Sequence, residues 1–326
     1  MRKRLLILWL IWTLLGAALI FTVVSSDPKN TVMSVIAIVI STSPLLGLLL
    51  ALGSPKAFQQ FKAWLQKDTN SMVYAAGAIT VLFALPGLLT NTFNPYTTTI
   101  LAFIVFAVFG SLKKLNSESF KLSWNDIVLW MLLWIPFDLR WSMGMHPLLG
   151  YTWWSIAISV IAVIGWQGYR SAEIGFNLVP KFKDLYIALL ALLMIMVVVV
   201  PLGLATGFLT FAIPEKFNAA KSAAHFIGIF LTIALPEELF FRGLLFRGLE
   251  KVSSRKWGPM VVSSLAFGLM HWNNVNDLHT QITYVILATL AGLGYAWAYK
   301  KSGNNILAAI LTHTLVDWVW KLVLAG

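Results

Sequence analysis

Three stretches of this chain place ionisable side chains inside apolar runs. ALPEELFFRG (234–243) carries Glu237, Glu238 and Arg242, LAFGLMHW (265–272) carries His271, and ILTHTLVDW (310–318) carries His313 and Asp317. Such groups are costly in hydrocarbon, and where they persist they are usually functional. On a helix, Glu238 and Arg242 are four residues apart and share a face, so they can pair. Glu237 is turned by about 100° from Glu238 and is left for another partner. Phe267 stands four residues before His271, which sets a ring beside the imidazole. His313 and Asp317 have the same spacing and can face one cavity.

These residue types point to hydrolysis. A carboxylate in a dry site can take a proton from water as a general base. Glu237, His271 and His313 could hold a zinc ion with an open coordination position. Alternatively, the imidazoles could orient the water and stabilise an oxyanion with no metal. Zinc and metal-free catalysis both stay open at this point. No serine has an obvious base partner, the chain has no cysteine, and the zinc-protease pattern HExxH is absent.

Each stretch also has a plainer reading. Glu238 and Arg242 suit a structural ion pair, a lone buried histidine suits an interhelical hydrogen bond, and His313 with Asp317 suits a packing pair. Depth favours a single cluster. Counted from Phe246, Gly258 and Asn304 respectively, Glu237, His271 and His313 lie roughly 15, 20 and 13 Å along their helices at 1.5 Å per residue.

The elements that position these residues are membrane helices. The chain is 59% hydrophobic and 11% charged, whereas a soluble domain carries about 25% charged residues. Apolar runs cover 5–24, 31–52, 71–90, 96–112, 147–166, 185–211, 223–248, 258–272, 282–299 and 305–324, with a shorter one at 127–137 ending near Pro136. They are continuous rather than alternating, which selects helices over a strand barrel. The expected fold is an all-α, polytopic transmembrane bundle of about 10–11 spans. The run 5–24 exceeds the roughly 7–15 residues of a signal-peptide core, so it reads as a retained first span, with cleavage after Ser25 and Ser26 as the lesser alternative.

The net charge of +11 sits in short gaps between runs. That pattern fits membrane orientation and not nucleic-acid binding. With all eleven segments crossing and a cytoplasmic N-terminus, 19 of the 24 Lys and Arg fall on the inner side, Arg242 among them. The outer set is Lys29, Arg140, Lys216, Lys221 and Lys321. This asymmetry predicts that 127–137 crosses. Three regions follow: an additional four-helix membrane region at 1–112, linking segments with one short and one full span at 113–184, and a catalytic membrane core at 185–326. Outer loops are short, so the expected partners are membrane lipids and a membrane-associated or C-terminal peptide substrate; the basic inner rim suits anionic lipids. The sequence does not give an oligomeric state.

The motifs resemble a known family. EELFFRG fits EExxxR, FGLMH fits FxxxH and HTLVD fits Hxxx(D/N), in the order and rough spacing of the CPBP intramembrane proteases. That family includes the CAAX proteases and the bacteriocin-processing enzymes often labelled Abi. SGNNILAAILTH (302–313) is also similar to the family's approach to its last motif. The resemblance runs from about Ala223 to Leu322. It implies a CAAX-protease-like core in the C-terminal half and a glutamate- or metal-dependent intramembrane peptidase. Carried over by position, Glu237 activates water, His271 orients it, and His313 with Asp317 forms the oxyanion side or completes a metal site. Glu238 pairs with Arg242. Eukaryotic members that remove the last three residues of prenylated CAAX proteins usually have Asn where this chain has Asp317; Asp belongs to bacterial-type members. The resemblance thus implies an integral protein of a prokaryotic cell membrane, and it makes a prenylated CAAX substrate the weaker expectation.

Two other readings compete. A proton-coupled transporter would use the buried Glu, His and Asp as a relay, but it predicts paired halves, and here the polar groups occupy only the second half. A non-catalytic Abi-type immunity or secretion scaffold predicts that alanine at Glu237 leaves the phenotype intact.

Overall fold

Long apolar stretches bounded by Asn, Asp, Pro and Gly become helices with recognisable starts. The computed structural model describes residues 32–68, 70–115, 120–138, 150–212, 217–255 and 257–325. The expected first span at 5–24 lies outside these, as do Lys29, Arg140, Lys216 and Lys256. The chain divides into two compact units, Met1–Ala172 and Glu173–Gly326. The segment 113–184, read from sequence as linking, is shared between them.

In the first unit, α1 (Val32–Leu52) is followed by α2 (Pro55–Lys67). The two meet at 99°. Helix α2 buries Phe58 and Leu65 while Lys56, Gln59 and Gln60 stay exposed, the pattern of a helix lying along an interface. Helices α3 (Ser71–Leu89), α4 (Pro95–Lys114) and α5 (Trp124–Asp138) follow, then α6 (Gly150–Ala162), which continues as a π-helix over Val163–Tyr169. Helix α4 starts where Pro95 fixes the first turn and the Asn94 side chain accepts from the Tyr96 and Thr97 amides. Asp126 on α5 is fully buried, accepts from Trp166 Nε1 at 3.1 Å and pairs with Arg170 at 3.3 Å.

The second unit holds the motif-bearing helices. Its elements are α7 (Phe182–Ala205), α8 (Ala219–Val252), α9 (Gly258–Leu269), α10 (Leu278–Lys301) and α11 (Ile306–Val323). Two-residue strands, β1 (Thr210–Phe211) and β2 (Leu324–Ala325), pair antiparallel beside the last helix. Caps set the helix starts: Asn218 accepts from the Lys221 amide, Asp277 from the Thr280 amide and Asn305 from the Leu307 amide. The bonds from Thr280 hold the exposed Asp277 carboxyl below the usual carboxylate range. Asn305 also donates to the buried Asp184 at the start of α7, at 2.9 Å.

An extended segment after Glu173 clips onto the turn between α10 and α11. The Ile306 amide donates to the Gly175 carbonyl at 3.0 Å, and Gly175 takes φ +73°. A Cβ there would lie 1.9 Å from the Asn304 carbonyl oxygen, so only glycine fits. Glu173 accepts from Lys251 and Arg247, which together hold its carboxyl below the usual range. Glu250 joins Arg247 to Lys300, tying the end of α8 to the end of α10.

Small residues bring helices close. Ala191 of α7, Ala298 of α10 and Ala308 of α11 share one buried cluster with Ile187. A Cβ on Gly268 would lie 2.0 Å from Thr289 Oγ1 and 2.6 Å from the Val285 carbonyl oxygen of α10. Gly268→Ala should therefore separate α9 from α10 and lower stability by about 1–3 kcal/mol. Thermal unfolding in detergent checks this, and an unchanged midpoint would contradict the close approach.

Six described helices are long and apolar enough to cross a membrane: α3, α4, α7, α8, α10 and α11, with α1 and α2 as a bent seventh candidate. This is fewer than the 10–11 runs counted in the sequence. Helix α5, expected at 127–137, has 15 residues and α9, expected at 258–272, has 12. At 1.5 Å per residue these reach roughly 22 and 18 Å, short of a hydrocarbon core of about 30 Å. A run of hydropathy does not reveal where the helix stops. WNNVND (272–277) supplies turn-forming Asn and Asp, and α9 ends at Leu269, before His271.

Candidate active site

Helix α8 carries the two glutamates on a distorted stretch. Its π-helical turns Phe230–Ala234 and Leu239–Phe246 flank Leu235–Glu238, with Pro236 between them. Proline has no amide hydrogen to give the preceding turn, and wide turns of this kind recur at functional sites. The expected pairing of Glu238 with Arg242 is present. Arg242 Nη1 donates to Glu238 Oε1 at 2.9 Å, and both side chains are fully buried. Arg242 Nη2 donates to the Gly292 carbonyl of α10 at 2.8 Å. The guanidinium also lies 4.7 Å from the Phe267 ring and 5.2 Å from the Tyr295 ring, within cation–π range. Arg242 is therefore an interior group and not one of the inner-side interface charges among which the sequence count placed it.

His313 on α11 is the meeting point. Its Nδ1 lies 2.9 Å from Glu238 Oε1. A carboxylate gripped by a guanidinium accepts, so Nδ1 carries the hydrogen. Nε2 then faces the other way, 3.5 Å from Asp317 Oδ2 and 3.8 Å from Glu237 Oε2. The two glutamates differ in access. The Glu237 side chain is 14% exposed and that of Glu238 0%, so only Glu237 can meet water. Glu237 Oε2 is itself buried and has no hydrogen-bond partner in the protein.

His271 sits two residues past the end of α9, with its amide bonded to the Gly268 carbonyl. Its Nδ1 lies 2.9 Å from the Phe267 carbonyl oxygen. A carbonyl only accepts, so Nδ1 carries the hydrogen and Nε2 is the nitrogen left for another partner. The Phe267 ring lies 4.8 Å from the His271 ring and 5.5 Å from the His313 ring. The expectation that Phe267 stands beside His271 is met, and the same ring also touches the second histidine. No ion pair among the described residues joins His271 to Glu237.

The structure thus gathers Glu237, Glu238 and Asp317 around His313, with Arg242 joined through Glu238 and His271 through Phe267. Glu238 does more than the arginine pairing read from sequence, because the same oxygen takes His313. Residues the motifs did not reveal are Tyr284, Gly292 and Tyr295 on α10. Tyr284 packs on His271 at 5.0 Å and Tyr295 stacks on His313 at 4.6 Å. Their signal was the face Tyr284, Ala288, Ala291, Gly292 and Tyr295, whose helical spacing and small residues mark a close helix contact.

The zinc set named from sequence was Glu237, His271 and His313. No group of three His, Asp or Glu side chains among the described residues is arranged to hold an ion. His313 Nδ1 is engaged by Glu238.

Residues 219–319 match the family model of the Rce1-like type II CAAX prenyl endopeptidases. No curated protein and no solved structure matches the chain significantly. The matched segment contains Glu237, Glu238, Arg242, Phe267, His271, His313 and Asp317, and with four candidate membrane helices in the same unit the C-terminal half of this chain carries an Rce1-like domain.

Proposed function

We propose that this chain is an intramembrane endopeptidase in which Glu237 activates water for hydrolysis of a peptide bond. One observation carries the reading: a buried Glu237 carboxylate oxygen that accepts no hydrogen bond from the protein and faces His313 Nε2 at 3.8 Å. The family match over 219–319 supports the same reaction class.

The steps use side chains alone. Glu237 takes a proton from water as the water oxygen attacks the carbonyl carbon. Glu237 then returns that proton to the amide nitrogen as the C–N bond breaks, giving a carboxylic acid and a free amine. His271, with Nδ1 committed to the Phe267 carbonyl, presents Nε2 to orient the water. Flanked by the Glu238 and Asp317 carboxylates, His313 acts as the doubly protonated imidazolium, so that Nε2–H is a positioned donor on the oxyanion side, where it stabilises developing charge. Asp317 holds that edge of His313. Glu238 and Arg242 fix its other edge.

The substrate on this reading is a membrane-associated peptide segment, and the N-terminus of the enzyme lies on the cytoplasmic side. The test is cleavage of a lipid-associated reporter peptide by the purified protein in vesicles. His271→Ala should lower kcat by about 10²–10⁴-fold with an unchanged unfolding midpoint. Full activity in that variant would remove His271 from the mechanism.

A further inference from the structure

We propose that Tyr295 is a positioning residue for this reaction, holding the plane of the His313 ring; this rests on the proposed function. The Tyr295 ring lies face to face with His313, with centroids 4.6 Å apart and planes 13° apart. It is 2% exposed. The two contacts that aim His313 lie along the imidazole edge: Nδ1 to Glu238 at 2.9 Å on one side, and Nε2 towards Asp317 and Glu237 at 3.5 and 3.8 Å on the other. Rotation about χ2 would swing both nitrogens out of line together. A flat ring stacked parallel to the imidazole obstructs that rotation, and a branched aliphatic side chain would not. This torsion is broad when nothing packs on it.

Two more contacts fix the clamp itself. Phe267 meets His313 edge-on at 87° and Tyr295 at 81°, so the stack cannot slide towards α9. The Arg242 guanidinium lies 5.2 Å from the Tyr295 ring, which anchors the same face to the charge that holds Glu238. The aromatic face is what these contacts use. The hydroxyl contributes to none of them.

Two variants separate the ring from the hydroxyl and from simple packing. Tyr295→Leu should lower kcat by about tenfold to a hundredfold, the scale of a small misplacement of a catalytic group, with KM unchanged. Tyr295→Phe should restore wild-type kcat. Independently of activity, histidine-labelled protein examined by NMR should show a His313 ring resonance, assigned with His313→Gln, shifted upfield by the stacked ring. The shift should persist in Tyr295→Phe and vanish in Tyr295→Leu. A wild-type kcat in Tyr295→Leu, an unchanged resonance there, or equal damage in both variants would overturn the assignment. If Glu237→Gln cleaves normally the proposed reaction fails, while the resonance still decides whether Tyr295 holds His313.

Discussion

Glu237→Gln should reduce peptide cleavage by about a thousandfold or more, near the upper range for removing a general base, while leaving the unfolding midpoint in place. Glutamine keeps the shape and the carbonyl oxygen but takes no proton from water at neutral pH. The site does not require ionised Glu237 for its architecture. Glu237 Oε2 takes no hydrogen bond from the protein, and its nearest cationic partner is His313 at 3.8 Å, beyond hydrogen-bond length. Stability and activity should therefore separate. Initial rates on a lipid-associated reporter and a thermal melt of the same preparation check both halves. Normal cleavage by this variant would end the proposed mechanism. Glu237→Asp keeps the acid but withdraws it by one methylene, so it should regain only part of the rate.

Arg242→Met should have the largest effect on folding, about 3–5 kcal/mol, the cost of leaving one member of a buried ion pair without its partner. Here Glu238, fully buried on α8, would lose its guanidinium and keep only His313 Nδ1. The Gly292 carbonyl would lose its donor as well. A second variant locates the cause. Glu238→Gln with Arg242→Met removes the uncompensated charge and keeps an acceptor for His313 Nδ1, so the double variant should be more stable than Arg242→Met alone. If the two changes were simply additive in thermal unfolding, the pair would not be the reason for the loss.

The parts of this arrangement that were legible in sequence are those that helix periodicity determines. Glu238 with Arg242, Phe267 with His271 and His313 with Asp317 are all separated by four residues, and all three pairs are neighbours in the structure. What periodicity cannot supply is the angle at which one helix meets another. His313 lies 75 residues from Glu238, and their bond depends on how α11 turns towards α8. Tyr295 carries no charge to betray it inside an apolar run, although the small residues before it mark the contact face. Helix α9 ends short of its apolar run for a related reason: the run continues past Leu269 while Asn and Asp just beyond turn the chain.

Glu238 Oε1 receives both Arg242 Nη1 and His313 Nδ1 at 2.9 Å, and Arg242 extends the link to the Gly292 carbonyl. A single oxygen atom is thus a junction for α8, α10 and α11. The consequence is that assembly and alignment are one property: the orientation of the His313 ring is set by the same atom that ties the three helices together, so a displacement of any of them is transmitted to it.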